Sequence, residues 1–260
     1  MNQNPKRNYR YVNRLAWSNL VRQNNIFSRP YGPEEFAFAR EWLDYGGWIP
    51  WEEISSVLCL AAGGGQQGPL FASLGYRVSI MDLSPAQLQL DREVAKKHGF
   101  DIECIQGDML DLSQLHNRDF DLVYQPISAH YIPNVRRLYR QVFRTLRYGG
   151  YYWVEHWSPF QMQLAACNAW DGEAYRVTQP QKTDRPVPWV VGEASAPETL
   201  ATCWHYIHPL GHLIGGLCDA GFVILRFGER ENGNLVAEPG SEAHKTAYLP
   251  PFMTLLAQRF

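Results

Sequence analysis

The chain has 260 residues and a formal net charge of −2 at pH 7, with 45% hydrophobic and 19% charged residues. This near-neutral balance argues against a nucleic acid or an anionic membrane as the main partner, and no apolar stretch approaches the roughly eighteen residues of a membrane span. The length suits one large α/β domain with insertions, and the 13% aromatic content predicts an aromatic-walled pocket in addition to a core.

The cysteines are odd in number, widely spaced and free of any CxxC pair. They are Cys59, Cys104, Cys167, Cys203 and Cys218. The first residues of the chain contain no apolar segment of the kind found in secretion signals. We therefore expect reduced thiols and a cytoplasmic location.

The N-terminal part contains two predicted helices. Residues 1–32 are polar and aromatic, with an amphipathic stretch at 15–21. Pro33 can begin a second helix over 34–44, because proline is tolerated in the first turn, and Gly46 and Gly47 end it.

A glycine-rich turn between two apolar runs is the most informative part of the chain. Residues 57–60 read as a strand, and four glycines follow at positions 63, 64, 65 and 68. A helix-length segment and a second apolar run then lead to Asp82. This order of strand, turn, helix, strand and acid is typical of a βαβ unit that binds an adenosine-bearing cofactor, because Asp82 can accept two ribose hydroxyl hydrogen bonds.

The glycine pattern alone leaves two cofactors open. Gly63, Gly65 and Gly68 match the G-x-G-x-x-G pattern of NAD sites, with the acid at the required distance. The predicted elements that follow the glycine turn are needed to distinguish NAD from other adenosine cofactors.

Those elements continue the alternation of helices and strands. A helix over 85–98 has Ser84 as its N-cap and Gly99 beyond its end. Further strands are predicted to end at 107–109, to begin at 120, and to cover 151–156. A helix with an apolar stripe lies at 135–146, and residues 217–229 read as a helix end, a glycine and a late strand.

Six motifs in this order resemble the class I S-adenosylmethionine-dependent methyltransferases, in particular the small-molecule branch with a GGGQ-type glycine motif. They are GGGQ at 63–66, a VDLS-like strand end at 81–84, the GD pair at 107–108, FDLV at 120–123, an RxLRPGG-like turn at 144–150 and AGF at 220–222. The likeness spans residues 54–228. The chain departs from the pattern at Cys59, where an acid is usual, at Ala61, where glycine is usual, and at Tyr148, where proline is usual.

The resemblance implies a Rossmann-like α/β fold. Its sheet is seven-stranded and mostly parallel, with helices on both faces, an antiparallel last strand and an inserted cap. The expected units are a helical segment at 1–53 over the cofactor site, a core at 54–158 and 207–230, a cap at 159–206, and a C-terminal extension at 231–260.

The implied activity is methyl transfer from S-adenosyl-L-methionine to an oxygen or nitrogen of a small molecule, leaving S-adenosyl-L-homocysteine. Two alternatives remain: methylation of RNA or protein, and a non-catalytic cofactor-binding protein. The charge, and Tyr124-Gln-Pro-Ile127 in place of an Asn-Pro-Pro-aromatic tetrapeptide, argue against a macromolecular acceptor.

The resemblance also implies which residues bind the cofactor. They are Ala61, Gly63, Gly64, Gly65, Gln66, Asp82, Leu83, Gln87, Asp108, Met109 and Gln125, with Trp17 and Tyr31 covering the methionine end. Asp82 is expected on the ribose, and Asp108 and Met109 on the adenine.

Acceptor residues are expected after the fourth and fifth strands, because ligands of open α/β sheets lie at the carboxyl ends of strands. His130 is the first candidate for a general base, followed by Glu155 and His156; the alternatives are a structural His130 and catalysis by proximity without a base. The remaining candidates for substrate contacts are Tyr131, Trp157 and His208. No metal is expected, because the His205-x-x-His208 pair lacks a third ligand.

Residues 159–206 interrupt the alternation with a predicted helix over 161–176 and a proline-rich loop. We expect this segment to cover the acceptor pocket, with Trp170, Trp189 and Trp204 at its centre. The expected partner is a small-molecule acceptor with an apolar or aromatic part, with neither nucleic acid nor a membrane involved.

Overall fold

The computed structural model describes residues 5–164, 170–181, 185–191 and 201–260. Its strands are β1 (Ser56–Leu60), β2 (Arg77–Asp82), β3 (Ile102–Gln106), β4 (Phe120–Gln125), β5 (Leu146–Trp157), β6 (Val187–Val191), β7 (Ala201–His205), β8 (Phe222–Glu229) and β9 (Phe252–Arg259). The longer helices are α1 (Pro5–Arg22), α5 (Pro85–His98) and α6 (Val135–Thr145). The shorter ones are α2 (Pro33–Phe36), α3 (Ala39–Leu43), α4 (Gln67–Ser73), α7 (Pro159–Met162), α8 (Leu210–Leu213), α9 (Gly215–Asp219) and α10 (Glu242–Tyr248).

Seven strands form one sheet in the order β3-β2-β1-β4-β5-β9-β8. The pairs from β3 to β5 are parallel, whereas β9 runs antiparallel to both of its neighbours, β5 and β8. The predicted fold class, a mostly parallel seven-stranded sheet with an antiparallel last strand, is therefore confirmed. The parallel strands end together at one edge, where the glycine turn and the loops after β2 and β4 meet.

Both faces of the sheet are buried by helices. Along β1, Leu58 and Leu60 pack toward α6 and α9, while Val57 and Cys59 pack toward α3 and α4. This alternation follows from the two-residue period of a strand. Apolar residues on both faces explain the continuous hydrophobic runs that predicted the central strands.

The helix after β2 has the predicted boundaries. The Ser84 side chain accepts a hydrogen bond from the Gln87 N–H, and Gly99 ends α5 in the left-handed conformation at φ 74°. The apolar stripe of the segment 135–146 forms α6, whose buried residues include Leu138, Tyr139 and Val142.

Helix α1 lies over the carboxyl edge of the sheet and packs against the two-stranded β6–β7 sheet. Ala16 and Leu20 of α1 contact Ala201 and Cys203 of β7 in a separate small core. The Asn13 side chain joins the two elements, because it accepts from the Trp204 N–H at 2.7 Å and donates to the Trp204 carbonyl at 2.9 Å.

Three details differ from the sequence-based expectations. The helix expected over 34–44 is divided into α2 and α3. Of the helix expected over 161–176, residues 165–169 lie outside the described part, and residues 170–176 instead carry an antiparallel bridge between Trp170 and Tyr175. The segment 231–260, expected as an extension, supplies β9 to the interior of the sheet.

No helix in the described ranges is both long enough and apolar enough to cross a membrane.

Candidate active site

A cavity of about 810 Å³ lies at the carboxyl edge of the sheet. Its floor comes from the loops after β1, β2, β3 and β4 and from the end of β5, and its cover comes from α1 and the segment that follows α1. The lining includes Asn13, Trp17, Phe27, Tyr31, Trp42, Tyr45, Ala61, Gly63, Gln66, Asp82, Leu83, Gln87, Asp108, Met109, Tyr124, Tyr131, Glu155, Arg230 and Phe252. The size is in the upper part of the usual range for ligand sites of about 300–1,000 Å³.

Asp82, at the end of β2, is fixed by backbone donors on the cavity floor. The Gly63 N–H donates to Asp82 Oδ2 at 3.1 Å, and the Ser84 N–H donates to Oδ1 at 2.8 Å. Burial raises the pKa of Asp82, and the backbone hydrogen bonds from Ser84 and Gly63 oppose that shift. Each carboxylate oxygen can accept a second hydrogen bond, which is what a vicinal diol of a ribose requires.

The glycine turn packs so closely against its neighbours that it leaves no room for side chains at Gly63 and Gly64. A Cβ at Gly63 would lie 2.8 Å from Gln87 Cβ and 3.2 Å from Asp82 Cβ. A Cβ at Gly64 would lie 2.7 Å from Gln87 Oε1, a buried atom that has no hydrogen-bond partner in the described structure. The tight backbone, the free acceptor positions of Asp82 and this buried oxygen together fit an adenosine cofactor that also carries an amino-acid part.

Asp91 of α5 holds the glycine turn from behind. Its Oδ2 accepts from the Gly64 N–H at 3.0 Å and its Oδ1 from the Gly65 N–H at 2.8 Å. Burial is the largest influence on this carboxyl and raises its pKa from 3.8 to about 7, although the two glycine hydrogen bonds act in the opposite direction. Asp91 also contributes to the raised pKa of the buried Cys59 thiol, after burial itself.

The backbone at Ala61 explains why glycine is usual there. Ala61 has φ 50°, in the left-handed region that side chains disfavour, and its N–H donates to the Met81 carbonyl at 2.7 Å. The chain therefore adopts the glycine-type turn at a cost on the order of 1 kcal/mol.

Contacts from the N-terminal segment close the cofactor side of the cavity. Arg10 forms an ion pair with Asp108, and the Ser18 and Ser84 hydroxyls are 3.0 Å apart. Gln87 Nε2 donates to Ser28 Oγ at 2.6 Å. These contacts place α1 and the segment after it along the cofactor side of the cavity.

The other end of the cavity contains a polar group of four side chains, Tyr45, Glu155, Arg230 and Thr254. Glu155 Oε1 accepts from the Tyr45 hydroxyl at 3.2 Å and the Thr254 hydroxyl at 3.4 Å, and it pairs with Arg230 Nε at 2.9 Å. The Tyr45 and Thr254 hydroxyls are also within hydrogen-bonding contact of each other, so when one donates to the other, only the second donates to Glu155. Burial raises the pKa of Glu155, and the charge of Arg230 together with the Tyr45 and Thr254 hydroxyls opposes that rise.

His130 and His156 lie away from this cavity. They line a separate void of about 10 Å³ with Trp157, Tyr206 and His208. His156 Nε2 is 3.0 Å from the Tyr139 hydroxyl, and His208 Nε2 donates to the Ile132 carbonyl at 2.9 Å. Burial lowers the pKa of His130 well below its usual range, and the neighbouring His205, His208 and His156 lower it further.

The structure thus separates the predicted site residues into two groups. Those that line the cavity are Trp17, Tyr31, Ala61, Gly63, Gln66, Asp82, Leu83, Gln87, Asp108, Met109, Tyr131 and Glu155. Those that do not are Gly64, Gly65, Gln125, His130, His156, Trp157 and His208. Gly64 and Gly65 are bound to Asp91 instead, and Gln125 is buried, donating to the Ser128 hydroxyl at 2.8 Å.

The expected cap also differs in position. Within the described residues, nothing from 159–206 lines the larger cavity. Trp189 contacts Trp157 and His205, the Trp204 backbone is bonded to Asn13, and Trp170 packs against Tyr175 and His244. The cover of the cavity is the N-terminal segment, and β6–β7 supports it from outside.

Sequence reasoning missed Asp91, Tyr45, Arg230, Thr254 and Phe252. A signal existed for Asp91, which is an acid on the inward face of α5 between Leu88 and Val94. Arg230, Thr254 and Phe252 had no local signal, because they reach the site through the pairing of β9 with β5 and β8. Tyr45 reaches it from the loop after α3, where no motif marks it.

Among the residues that the structure describes, no group of three or more His, Cys, Asp or Glu side chains is arranged to hold a metal ion.

Comparisons with known proteins agree with this geometry. A family model described as "Methyltransferase domain" matches residues 58–154. The chain is 30% identical over 190 residues to the "Uncharacterized methyltransferase YbaJ" of Bacillus subtilis (strain 168), which covers 72% of each chain. A crystal structure of an S-adenosylmethionine-dependent methyltransferase from Mesorhizobium loti superposes with a TM-score of 0.60 at 24% identity, covering 86% of this chain and 100% of that one.

A further structural neighbour is a geranyl diphosphate C-methyltransferase from Streptomyces coelicolor A3(2), determined with Mg²⁺, geranyl diphosphate and S-adenosyl-L-homocysteine. It has a TM-score of 0.54 at 17% identity and covers 87% of this chain and 79% of that chain. At this identity the likeness shows the shared fold.

Proposed function

The chain belongs to the class I S-adenosylmethionine-dependent methyltransferases, and we propose that it methylates an oxygen or nitrogen of a small molecule. One observation carries the proposal: a single cavity contains both the glycine turn with Asp82 and the buried Glu155 carboxylate. A cofactor and an acceptor can therefore lie side by side in a space that α1 covers.

The cofactor residues have separate tasks. Asp82 would accept hydrogen bonds from the ribose hydroxyls, Asp108 and Met109 would contact the adenine, and Gly63 would lie beside the ligand. Trp17 and Tyr31 cover the site from the N-terminal segment. When bound, S-adenosyl-L-methionine supplies a methyl group on a sulfonium, and its transfer leaves S-adenosyl-L-homocysteine.

Glu155 is our candidate for the residue that orients the acceptor. Its Oε1 is held by the contacts to Tyr45, Thr254 and Arg230, whereas its Oε2 has no partner among the described residues. Oε2 can accept a hydrogen bond from the acceptor's O–H or N–H and aim the lone pair of that atom at the methyl carbon. As the new bond to carbon forms, the proton of the nucleophile passes to Oε2.

The raised pKa of Glu155 suits this task, because a base accepts a proton better when its pKa is nearer the working pH. His130 does not enter this proposal, because it lines the other void. A methyl transfer that depends on positioning alone would still need Glu155 Oε2 as an acceptor of the hydrogen bond.

The covered cavity favours a small acceptor over RNA or protein. Helix α1 and the segment behind it supply Asn13, Trp17, Phe27 and Trp42 to its wall, so a nucleotide within a polymer would have to displace this cover. The near-neutral charge of the chain agrees with that argument.

The test has two steps. Calorimetric titration with S-adenosyl-L-methionine, its demethylated product and NAD should give binding of the first two and none of NAD. Transfer of a labelled methyl group is then measured with a panel of small hydroxy compounds and amines, and in parallel with bulk tRNA and unfractionated protein. Label in a small product supports the proposal, and label only in the macromolecular fractions contradicts it. Cofactor binding without transfer to any fraction would indicate a non-catalytic protein.

A further inference from the structure

We propose that the acceptor carries a carboxylate and that Arg230 binds it. This inference rests on the proposed function, since it concerns the acceptor end of the same cavity. It adds the chemical class of the acceptor, defined by one guanidinium beside a set of aromatic walls.

Arg230 is the accessible member of the ion pair with Glu155. Its side chain is 38% exposed, whereas that of Glu155 is 4% exposed. Glu155 also receives the Tyr45 and Thr254 hydroxyls, so its negative charge is already compensated from several sides. The guanidinium therefore presents its remaining N–H donors to the cavity that it lines.

Those donors have no acceptor among the described residues. Nε forms the ion pair with Glu155, and Tyr45 is the other polar contact of the Arg230 side chain within the described part of the chain. A guanidinium has five N–H donors in a planar fork, which matches the two oxygens of a carboxylate. At least one edge of this fork is thus available to a ligand.

Aromatic packing holds the fork in place before a ligand arrives. The guanidinium carbon lies 4.5 Å from the centre of the Tyr45 ring and 5.3 Å from that of Phe252. The Arg230 backbone N–H also donates to the Phe252 carbonyl at 3.1 Å. A side chain restrained in this way loses less rotational freedom on binding, which favours affinity.

The cavity that Arg230 lines also has walls that suit an apolar or aromatic body. Ile26, Phe27, Trp42 and Tyr45 all line the cavity and remain 47–54% exposed. Half-exposed large apolar side chains that share one cavity wall indicate a ligand that covers them.

The charge balance favours a carboxylate over other ionic groups. Glu155 already neutralises part of the positive charge of Arg230. The charge that remains therefore balances a singly charged anion better than a phosphate dianion. An ammonium group would have to approach the buried Glu155 past the more exposed guanidinium, which repels it. A carboxylate meets the guanidinium first.

Matched ligands test this inference on the full-length protein saturated with S-adenosyl-L-homocysteine. The probes are phenylacetate, phenylacetamide and phenethylamine, and indoleacetate, indoleacetamide and tryptamine. Within each set the ring is kept while the polar end is an anion, a neutral amide or a cation. Binding is measured by calorimetry at constant ionic strength.

We expect each carboxylate to bind about 10- to 100-fold more tightly than its amide, the range for one or two charge-assisted hydrogen bonds. Arg230→Gln should remove this preference, whereas Arg226→Gln, a change at an exposed arginine of β8, should keep it. Glu155→Gln should increase the affinity for carboxylates, because it removes the negative charge that competes with the ligand for the Arg230 guanidinium.

Three results would overturn the inference: equal binding of carboxylate and amide, tighter binding of the amines, or no binding of any carboxylate. Persistence of the preference in Arg230→Gln would do the same. S-adenosyl-L-homocysteine is titrated into each variant first, and circular dichroism verifies its fold. Loss of cofactor binding in the unmodified protein would contradict the proposed function itself, whereas an absent carboxylate preference with normal cofactor binding contradicts only the role of Arg230.

Discussion

The Asp91 carboxylate accepts a hydrogen bond from the Gly65 N–H at 2.8 Å, so a helix that follows β2 fixes the turn that follows β1. The methyltransferase pattern usually has an acid on the first strand, and Cys59 stands there in this chain. Asp91 provides a buried carboxylate close enough to Cys59 to raise the pKa of its thiol. Asp91 does not itself line the cavity, so it acts on the cofactor site through the glycine turn.

Asp91→Ala is expected to weaken cofactor binding about tenfold or more, because two buried glycine N–H groups lose their acceptor at about 1–3 kcal/mol each. Calorimetric titration with S-adenosyl-L-homocysteine measures the affinity, and urea unfolding measures the stability. Asp101→Ala, at an exposed position, is the control. An affinity equal to that of the control would show that the turn does not depend on Asp91.

The same variant has a predictable pH dependence. The pKa of Asp91 is raised from 3.8 to about 7 in the folded protein, so the folded state binds this proton more tightly than the unfolded state. This group's contribution to stability is therefore largest at low pH and is lost as the pH rises through that window. The free energy of unfolding of Asp91→Ala should lack this component, so the difference from the unmodified protein should be larger at pH 5 than at pH 8.

Asp82→Ala should weaken S-adenosyl-L-homocysteine binding by a factor of ten to several hundred, since each hydrogen bond to a charged group contributes about 1.5–3 kcal/mol. The affinity of Asp82→Asn should lie between those of the unmodified protein and Asp82→Ala, because an amide keeps one acceptor oxygen. The measurement is a calorimetric Kd. Unchanged affinity in a folded Asp82→Ala protein would disprove the ribose assignment.

Gly63→Ala tests the packing of the glycine turn without removing any polar group. The added Cβ would lie 2.8 Å from Gln87 Cβ and 3.2 Å from Asp82 Cβ, so both side chains must shift. Gly211→Ala, where a Cβ meets nothing within 4 Å, is the matched control. We expect a Kd at least about tenfold higher in the first variant, equivalent to about 1.4 kcal/mol, and no change in the second. Equal affinities in both would argue that cofactor binding does not depend on the close packing of Gly63 against Gln87 and Asp82.

Glu155→Gln should lower kcat by about 10²-fold or more if Oε2 accepts the proton, with a smaller effect on KM. Glu229→Gln, at an exposed position of β8, is the control. The kcat of the unmodified enzyme should fall as Glu155 becomes protonated at low pH, and this dependence should be absent in Glu155→Gln. A normal kcat in Glu155→Gln, together with a large fall in a folded His130→Ala protein, would favour the assignment of the base from the sequence.

The buried histidines predict acid sensitivity. Burial lowers the pKa of His205 from 6.5 to about 4 and that of His156 to about 3, so the unfolded state binds these protons more tightly. Their contribution to stability is present above pH 6.5 and is lost as the pH falls toward 4. His205→Phe should reduce the slope of the unfolding free energy in that range by up to about 1.4 kcal/mol per pH unit, the effect of one proton.

Urea titrations from pH 4 to pH 8 provide the measurement, with His212→Gln as the comparison at a less buried position. An unchanged slope in His205→Phe would mean that His205 does not remain neutral in the folded protein.

The sequence by itself determined the cofactor half of the site. The run 57–60, the glycines after it and Asp82 are close together in the chain, and the order of strand, turn and helix fixes their relative positions. The boundaries of α5 were predictable for the same reason, since Ser84 and Gly99 act on their own neighbours.

The tertiary structure alone decided the acceptor half. Strand β9 enters the sheet between β5 and β8, and this pairing places Thr254 opposite Glu155. Arg230 and Phe252 reach the cavity by the same route. Nothing in the local pattern specifies where a late strand pairs in the sheet, because that choice depends on the packing of the whole sheet.

His130 shows the same limit of sequence-based prediction, because its position in the chain was informative and the direction of its side chain was not. Its place after β4 predicted a residue at the carboxyl edge, and it lies at that edge. Its direction depends on β7, whose continuation bonds the Tyr206 N–H to the His130 carbonyl at 2.6 Å, and on His205, which packs against its ring. A sequence can place a residue at the end of a strand, whereas contacts with distant segments decide which cavity its side chain enters.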